Sequence, residues 1–319
     1  MNGFISCDWG TSSLRLRLVE GGLVLAEMEN DQGIGLVYRE WQAAGLDEHC
    51  RVQFYHSRLL PGLQWLARQT GRSLEGVPVV ISGMASADIG LCPLGWAPTP
   101  LNLLQPQLPL QWIEASAEFP HACLVAGGLR SANEVMRGEE TQLIGSAAYF
   151  RAERVYAILP GTHSKQVEVE KGEVRKFQTA MTGEIFGLLT RFSLLQNSVA
   201  AGTNPGDESS RASFLSGVDA SADRNWLNRL FGVRTRQLIE GYSPQENYHF
   251  LSGLLIGYEL RELPAEALPL VLIGDPAQCG RYALALEHLG RSRPLEVDAT
   301  AAVIHGQSVL LDQRNPSSC

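Results

Sequence analysis

Asp8-Trp9-Gly10-Thr11-Ser12-Ser13 and Leu159-Pro160-Gly161-Thr162-His163-Ser164-Lys165 are two glycine-hydroxyl turns, each set between strand-like runs, Phe4 to Val19 and Val155 to Val169. Gly10 and Gly161 let the backbone approach a ligand closely. Thr11, Ser12, Thr162 and Ser164 add hydroxyls beside turned-in amide N–H groups, the donor set that anionic oxygens seek. Asp8 ends the first apolar run with a carboxylate that is costly to bury unless water, Mg²⁺ or a donor satisfies it. One such turn alone reads as an ordinary β-hairpin. Two of them, each opening half of the chain, predict a pair that faces across a cleft and clamps the phosphates of a nucleotide.

The carboxylate pair Glu139-Glu140 stands at the start of a helix-like segment. Counting forward from Glu140 reaches Leu143, Ile144 and Ala147, so Glu140 is expected to point inward and to serve as a general base, with Glu139 more to the side. The helix dipole alone would explain one acidic residue there. Asp8 is the rival base, although a metal-water role suits its place better. Lys165 is the candidate for neutralising phosphate charge. Arg137 is either a bidentate grip on a substrate carboxylate or a surface arginine before a helix. Ser82 and Gly83, at a strand end, either let backbone amides approach a substrate or make a plain turn. His163 is expected to hydrogen-bond within its turn, Gly274 to permit close approach of a nucleobase, and Trp9 to be core.

The elements that must hold these residues follow from the apolar periods. After the first hairpin, Leu23 to Glu29 alternates as a third strand, and Leu36 to Gln69 includes helix at least in its second half. Val77 to Met84 is a short buried strand ending in a glycine turn, which completes a ββ-β-α-β order typical of a ribonuclease-H-like sheet. Leu91 to Pro120 reads as irregular loops with a small extra sheet, and Ala122 to Ala126 as another strand. In the second half, Glu173 to Thr179 follows a Lys171-Gly172 turn, and Met181 to Leu195 is helical. Ala201 to Ser210 is a polar Gly/Pro loop. Gly253 and Gly257, four apart, suggest close helix packing. Leu270 to Gly274 is a buried strand, and Ala277 to Leu289 a helix.

The chain has 319 residues, 45% of them hydrophobic and 19% charged, which fits two globular domains better than one core. No apolar run reaches membrane-spanning length. Met1 to Phe4 shows no basic segment or cleavage site, so the expectation is a cytoplasmic protein. A net charge of −8 argues against a duplex nucleic-acid surface. Cysteines at 7, 50, 92, 123, 279 and 319 show no paired metal-ligand spacing and read as buried or incidental thiols.

Taken together, Asp8 to Arg15, Ser82-Gly83-Met84-Ala85-Ser86, Val135 to Gln142, Leu159 to Lys165, Met181-Thr182-Gly183-Glu184 and Ser252 to Gly257 resemble the 2-dehydro-3-deoxygalactonokinases of the acetate kinase, sugar kinase, Hsp70 and actin superfamily. The resemblance implies an α/β fold of two ribonuclease-H-like (actin-like ATPase) domains, each a mixed sheet flanked by helices, with the active-site cleft between them. It places a sugar-acid-binding domain at 1–136, with a helix at about 299–319 packing back on it, and a nucleotide-binding domain at 137–298.

The implied reaction is transfer of the γ-phosphoryl of ATP to the 6-hydroxyl of 2-dehydro-3-deoxy-D-galactonate, with Mg²⁺. Glu140, Asp8 and Lys165 are then catalytic, and Asp8 also holds the metal. Gly10, Thr11, Ser12, Gly161, Thr162, His163, Ser164 and Gly274 bind the nucleotide; Ser82, Gly83, Met84, Arg137 and Glu139 bind the sugar acid. The partners are these two small molecules, with no nucleic acid and no membrane, and a homodimer is left open. Two departures stand out. Ile89 to Pro98 replaces an acidic or tyrosine-bearing stretch, and Gly274-Asp275-Pro276 replaces a double glycine. An exopolyphosphatase-like phosphohydrolase and a non-catalytic sugar-acid or nucleotide sensor are the alternatives.

Overall fold

Apart from Ser6 and Asp8, strand β1 (Phe4–Trp9) is apolar, and the computed structural model, which describes residues 3–200 and 207–314, places it inside a sheet. It pairs antiparallel with β2 (Leu14–Glu20), Trp9 opposite Leu14, and β2 pairs with β3 (Leu23–Asn30) across Gly21-Gly22, both at positive φ as a tight hairpin turn requires. Helices α1 (Ile34–Ala44) and α2 (Arg51–Thr70) lay Ile34, Val37, Trp41, Tyr55, Leu59, Leu63 and Leu66 against this sheet, so the helical span begins earlier than expected. Strand β4 (Val79–Gly83) then runs parallel to β1.

The proline-rich stretch forms short strands, β5 (Trp96–Pro98), β6 (Leu101–Asn102) and β7 (Leu110–Ile113), followed by β8 (Cys123–Ala126), β9 (Gly128–Arg130), β10 (Val135–Met136) and helix α3 (Glu139–Gly145). The main sheet has the order β3-β2-β1-β4-β8-β7, and β10-β9-β5 make the small extra sheet.

The second half repeats the plan. Strands β11 (Arg154–Leu159), β12 (Ser164–Glu170) and β13 (Glu173–Ala180) form a meander, with Lys171 and Gly172 at φ 51° and 75° in the turn. Helices α4 (Thr182–Phe192), α5 (Glu208–Ala220), α6 (Trp226–Ile239) and α7 (Pro244–Arg261) precede β14 (Leu270–Gly274), which is parallel to β11. Helix α8 (Pro276–His288), β15 (Leu295–Asp298) and α9 (Ala299–Arg314) complete the described chain. The order β15-β14-β11-β12-β13 matches that of the first sheet, the ribonuclease-H-like arrangement. Residues 201–206 of the expected polar loop lie outside the described residues; Asp207 already caps α5, its carboxylate accepting the Ser210 N–H. Cys319 and the end of the expected 299–319 helix also lie outside them.

The chain divides into two compact units, but not at residue 136. Residues 3–151, 172–176 and 299–314 form the first, and 152–171 with the described part of 177–298 the second. Helix α3 therefore belongs with the first unit, and the reason is backbone packing on α9. A methyl on Gly145 would lie 1.8 Å from the Ala302 carbonyl oxygen, and one on Gly306 would lie 2.0 Å from that of Thr141. In the second unit Gly253 packs in the same way on Phe214 of α5, as the glycine spacing suggests.

Gly306→Ala is expected to cost about 1–3 kcal/mol through overpacking. Gly280→Ala, within α8 and with nothing within 4 Å of the added methyl, should instead stabilise by about 0.5–1 kcal/mol. Thermal or denaturant unfolding of the two variants beside the wild type checks both signs.

Candidate active site

In the first unit, the parallel pairing of β1 and β4 sets Asp8 beside Ser82 and Trp9 beside Gly83. Gly83 sits at φ 92°, and a Cβ there would meet the Trp9 carbonyl oxygen at 2.8 Å. Gly138, at φ 111°, stands directly over it, its own Cβ position 3.2 Å from the Gly83 Cα. This contact brings the start of α3 to the end of β1.

The turn after β1 is held by the helix that follows. Gly10 N–H donates to the Ser13 carbonyl at 2.9 Å, while the carbonyls of Gly10 and Thr11 accept the N–H groups of Ile34 and Gly35. The turn itself thus caps α1, which has no side-chain cap, and leaves Thr11 and Ser12 exposed at its tip.

The carboxylates divide by environment. The Asp8 side chain is 24% exposed, with Arg15 across the hairpin at 3.4 Å, and Arg15 is itself bound to Glu29 at 2.7 Å. Burial raises the Asp8 pKa, Arg15 and Arg17 partly offset it, and the Glu139 charge adds to the rise. Glu139 is half-buried and accepts the Arg137 N–H at 3.1 Å. Glu140, the expected base, points inward but is fully buried, with both carboxyl oxygens at 2.8 Å from the Gly138 N–H and the Thr141 hydroxyl at 3.3 Å. Burial first, and then the Glu139 charge, push its pKa up to about 8. In this arrangement the carboxyl faces its own turn, with no surface open to solvent.

Arg137 is not a plain surface arginine, because its guanidinium is engaged within the first unit. Its guanidinium lies 3.9 Å over the Trp96 ring and donates to the Ser86 carbonyl at 2.7 Å and the Ser86 hydroxyl at 2.6 Å. It fastens the loop after β4, including Met84, whose side chain is half-buried. The buried Ser82 hydroxyl accepts from the side-chain amide of Gln307, which reaches in from α9.

In the second unit, helix α4 docks directly on the turn after β11. A Cβ on Gly183 would lie 2.5 Å from the Gly161 carbonyl oxygen, and the Glu184 N–H donates to the Thr162 carbonyl at 3.0 Å. Helix α4 starts without a side-chain cap, the arrangement in which anionic ligand oxygens complete a helix. A cavity of about 520 Å³ opens beside it, lined by Gly161, Thr162, Thr182, Gly183, Tyr248 and Arg281 among others.

The other residues expected at this nucleotide site have different places. Lys165 is buried behind the turn, its ammonium donating to the His163 carbonyl at 2.8 Å. Ser164 is buried and donates to Glu259. The His163 side chain reaches out of its turn, and its Nε2 meets Glu184 of α4 at 2.5 Å. Gly274 makes room for Cys279 and the Pro160 ring. None of these four lines the cavity. The residues missed, Thr182, Gly183, Tyr248 and Arg281, come from three helices. Thr-Gly at a helix start was the only local signal among them.

Among the described residues no group of three or more His, Cys, Asp or Glu side chains could hold a metal ion by itself. Asp8 and Glu139 do fit Mg²⁺ as it is held in phosphoryl-transfer sites, by one or two carboxylates with phosphate oxygens and water.

A family model described as 2-keto-3-deoxy-galactonokinase matches residues 8–310. The chain belongs to this family. A Rhizobium meliloti (strain 1021) protein named as a 2-dehydro-3-deoxygalactonokinase, DgoK1, is 32% identical over 96% of this chain and 95% of its own. The 2-dehydro-3-deoxygalactonokinase of Escherichia coli (strain K12) is 29% identical over 90% of each chain. A crystal structure from Sinorhizobium meliloti, described as a 2-dehydro-3-deoxygalactonokinase protein, superposes with a TM-score of 0.81 at 29% identity and covers 99% of this chain and 97% of its own. Family membership makes the chain a kinase, an ATP-dependent phosphotransferase. No helix among the described residues is long and apolar enough to cross a membrane.

Glu140 generates a pH prediction. Its folded pKa of about 8 lies above its ordinary 4.5, so between these values the folded state keeps a proton that the unfolded chain has released. Stability from this group therefore falls as pH rises through that window and levels off above about 8. Glu140→Gln has no such proton, and melting curves at pH 5 and pH 8.5 should show the wild type losing several degrees relative to the variant.

Proposed function

We propose that the chain transfers the γ-phosphoryl of ATP to the 6-hydroxyl of 2-dehydro-3-deoxy-D-galactonate, the substrate named for its relatives. The observation that carries the nucleotide half is the cavity of about 520 Å³ at the start of α4, which no side chain caps, a volume suited to a nucleotide. Gly161, Thr162 and the first turn of α4 receive phosphate oxygens, and Arg281 supplies positive charge on the cavity wall. Lys165, fixed behind the turn, adds a positive field to the same phosphates.

The sugar acid is assigned to the first unit, over Gly83, Met84 and the loop that Arg137 fastens. Thr11 and Ser12, exposed beside Asp8, offer hydroxyl donors to phosphoryl oxygens. Asp8 would hold a Mg²⁺ ion, which when bound would neutralise and orient the phosphates. Glu139, half-buried and next to the Arg137 loop, takes the proton from the 6-hydroxyl as its oxygen bonds to the γ-phosphorus and the bond to ADP breaks. Glu140 holds the turn that aims Glu139. Burial, and then the neighbouring Glu139 charge, raise the Asp8 pKa, while Arg15 and Arg17 partly offset the rise.

A coupled ADP-release assay with Mg-ATP and a panel of 2-keto-3-deoxy sugar acids, beside no-sugar and polyphosphate controls, tests the reaction. Release that depends on the galactonate-derived acid is expected; release with polyphosphate alone, or with no acid, overturns the reading. In the same assay Glu139→Gln should lower kcat by roughly 10²–10⁴-fold, the range for a general base. Glu140→Gln should change it by far less, and the reverse ranking would restore Glu140 as the base.

A further inference from the structure

We infer that Glu259, which lines no part of the cavity, is the positioning residue that fixes the shape and hydrogen-bond polarity of the nucleotide site; this rests on the nucleotide assignment above. Ser252, Leu255 and Ile256 of α7 line the cavity, and Glu259 continues the same helix face one turn on, beneath the wall. Its buried carboxylate accepts three hydroxyl protons from three different elements. Ser164, at the start of β12, donates at 2.6 Å, Tyr282 of α8 donates at 2.6 Å, and Thr182, at the first position of α4, makes the third bond.

The backbone of the same residue is used as well. The Glu259 carbonyl, in the last turn of α7, accepts from the Gln166 side chain at 2.9 Å, and Gln178 of β13 donates to Gln166 at 2.7 Å. One residue thus ties the hairpin carrying Gly161 and Thr162 to the starts and walls of α4 and α8. A buried carboxylate with three O–H donors is a stable arrangement, whereas each hydroxyl without it would have to find a new partner.

Polarity follows from proton counting. A hydroxyl has one proton, and those of Thr182 and Tyr282 are committed to Glu259, so toward any ligand these oxygens act only as acceptors. They suit the hydroxyl groups of a ribose or a water on a cation and repel phosphate oxygens. Phosphate is left to the amides of the turn and of α4.

The test is calorimetric titration of MgADP into the wild type, Glu259→Gln, Glu259→Ala, Thr182→Val and the Glu259→Gln/Thr182→Val pair, together with the KM for the sugar acid. Glu259→Ala should weaken MgADP at least tenfold with the stoichiometry of the folded protein unchanged. Glu259→Gln, whose amide oxygen still accepts, should weaken it less. Thr182→Val should cost less in the Gln background than alone, because the two act through one bond, and the KM for the sugar acid should stay as in the wild type. Wild-type Kd in both Glu259 variants, a fall in stoichiometry at constant Kd, or additive effects in the pair would overturn the inference and leave the nucleotide assignment standing. If Glu259→Ala does not fold, Glu259→Gln and the pair decide. Absence of MgADP binding by the wild type would instead overturn the assignment itself, and this inference with it.

Discussion

The close approach of Gly138 to Gly83, both at positive φ that side chains rarely adopt, is what the chemistry of the first unit is built on. Gly83 ends β4 at a positive φ, Gly138 opens α3 at another, and a Cβ on Gly138 would come within 3.2 Å of the Gly83 Cα. Because the two backbones meet, the acidic first turn of α3 reaches the end of β1, where Asp8 stands. The same close approach at Gly145 and Gly306 keeps α3 against α9. The second unit uses the device again at Gly183 on Gly161, where a helix start is pressed onto the turn after β11. Glycine is costly in a flexible chain, and these positions show what that cost secures.

The two buried glutamates illustrate different answers to one electrostatic problem. Glu140 is met by backbone N–H groups, that of Gly138 shared between its oxygens, and by the Thr141 hydroxyl, and burial together with the charge of Glu139 pushes its pKa up to about 8. Glu259 is met by three hydroxyls from three elements. The first arrangement stabilises a turn, and the second ties together the parts of a cavity wall. Both lie behind the groups proposed to touch ligands, which is where rigidity must come from if exposed side chains are to be aimed.

Much of the architecture was legible in the sequence. Apolar runs around Gly10 and Gly161 predicted the two hairpins, Gly253 and Gly257 predicted the close packing of α7, and the Lys171-Gly172 turn predicted the meander. Glu140 was read correctly as inward, because helical periodicity reports direction. Periodicity carries no information about depth, so its full burial was not visible. The domain boundary was misplaced for a related reason: α3 follows the first half in sequence and packs on α9, more than 150 residues further along.

The sequence by itself determined the two hairpins, their turns and the acidic start of α3, because these depend on local periods and on residues that only certain backbone shapes accept. Tertiary structure decided which polar groups line the cavity. Lys165, Ser164 and Gly274 sit beside the second turn in sequence or in its sheet, yet each is turned to a structural partner, while Thr182, Tyr248 and Arg281 enter the cavity wall from separate helices. A cavity is a relation among surfaces distant in sequence, and no local pattern of residue types encodes it.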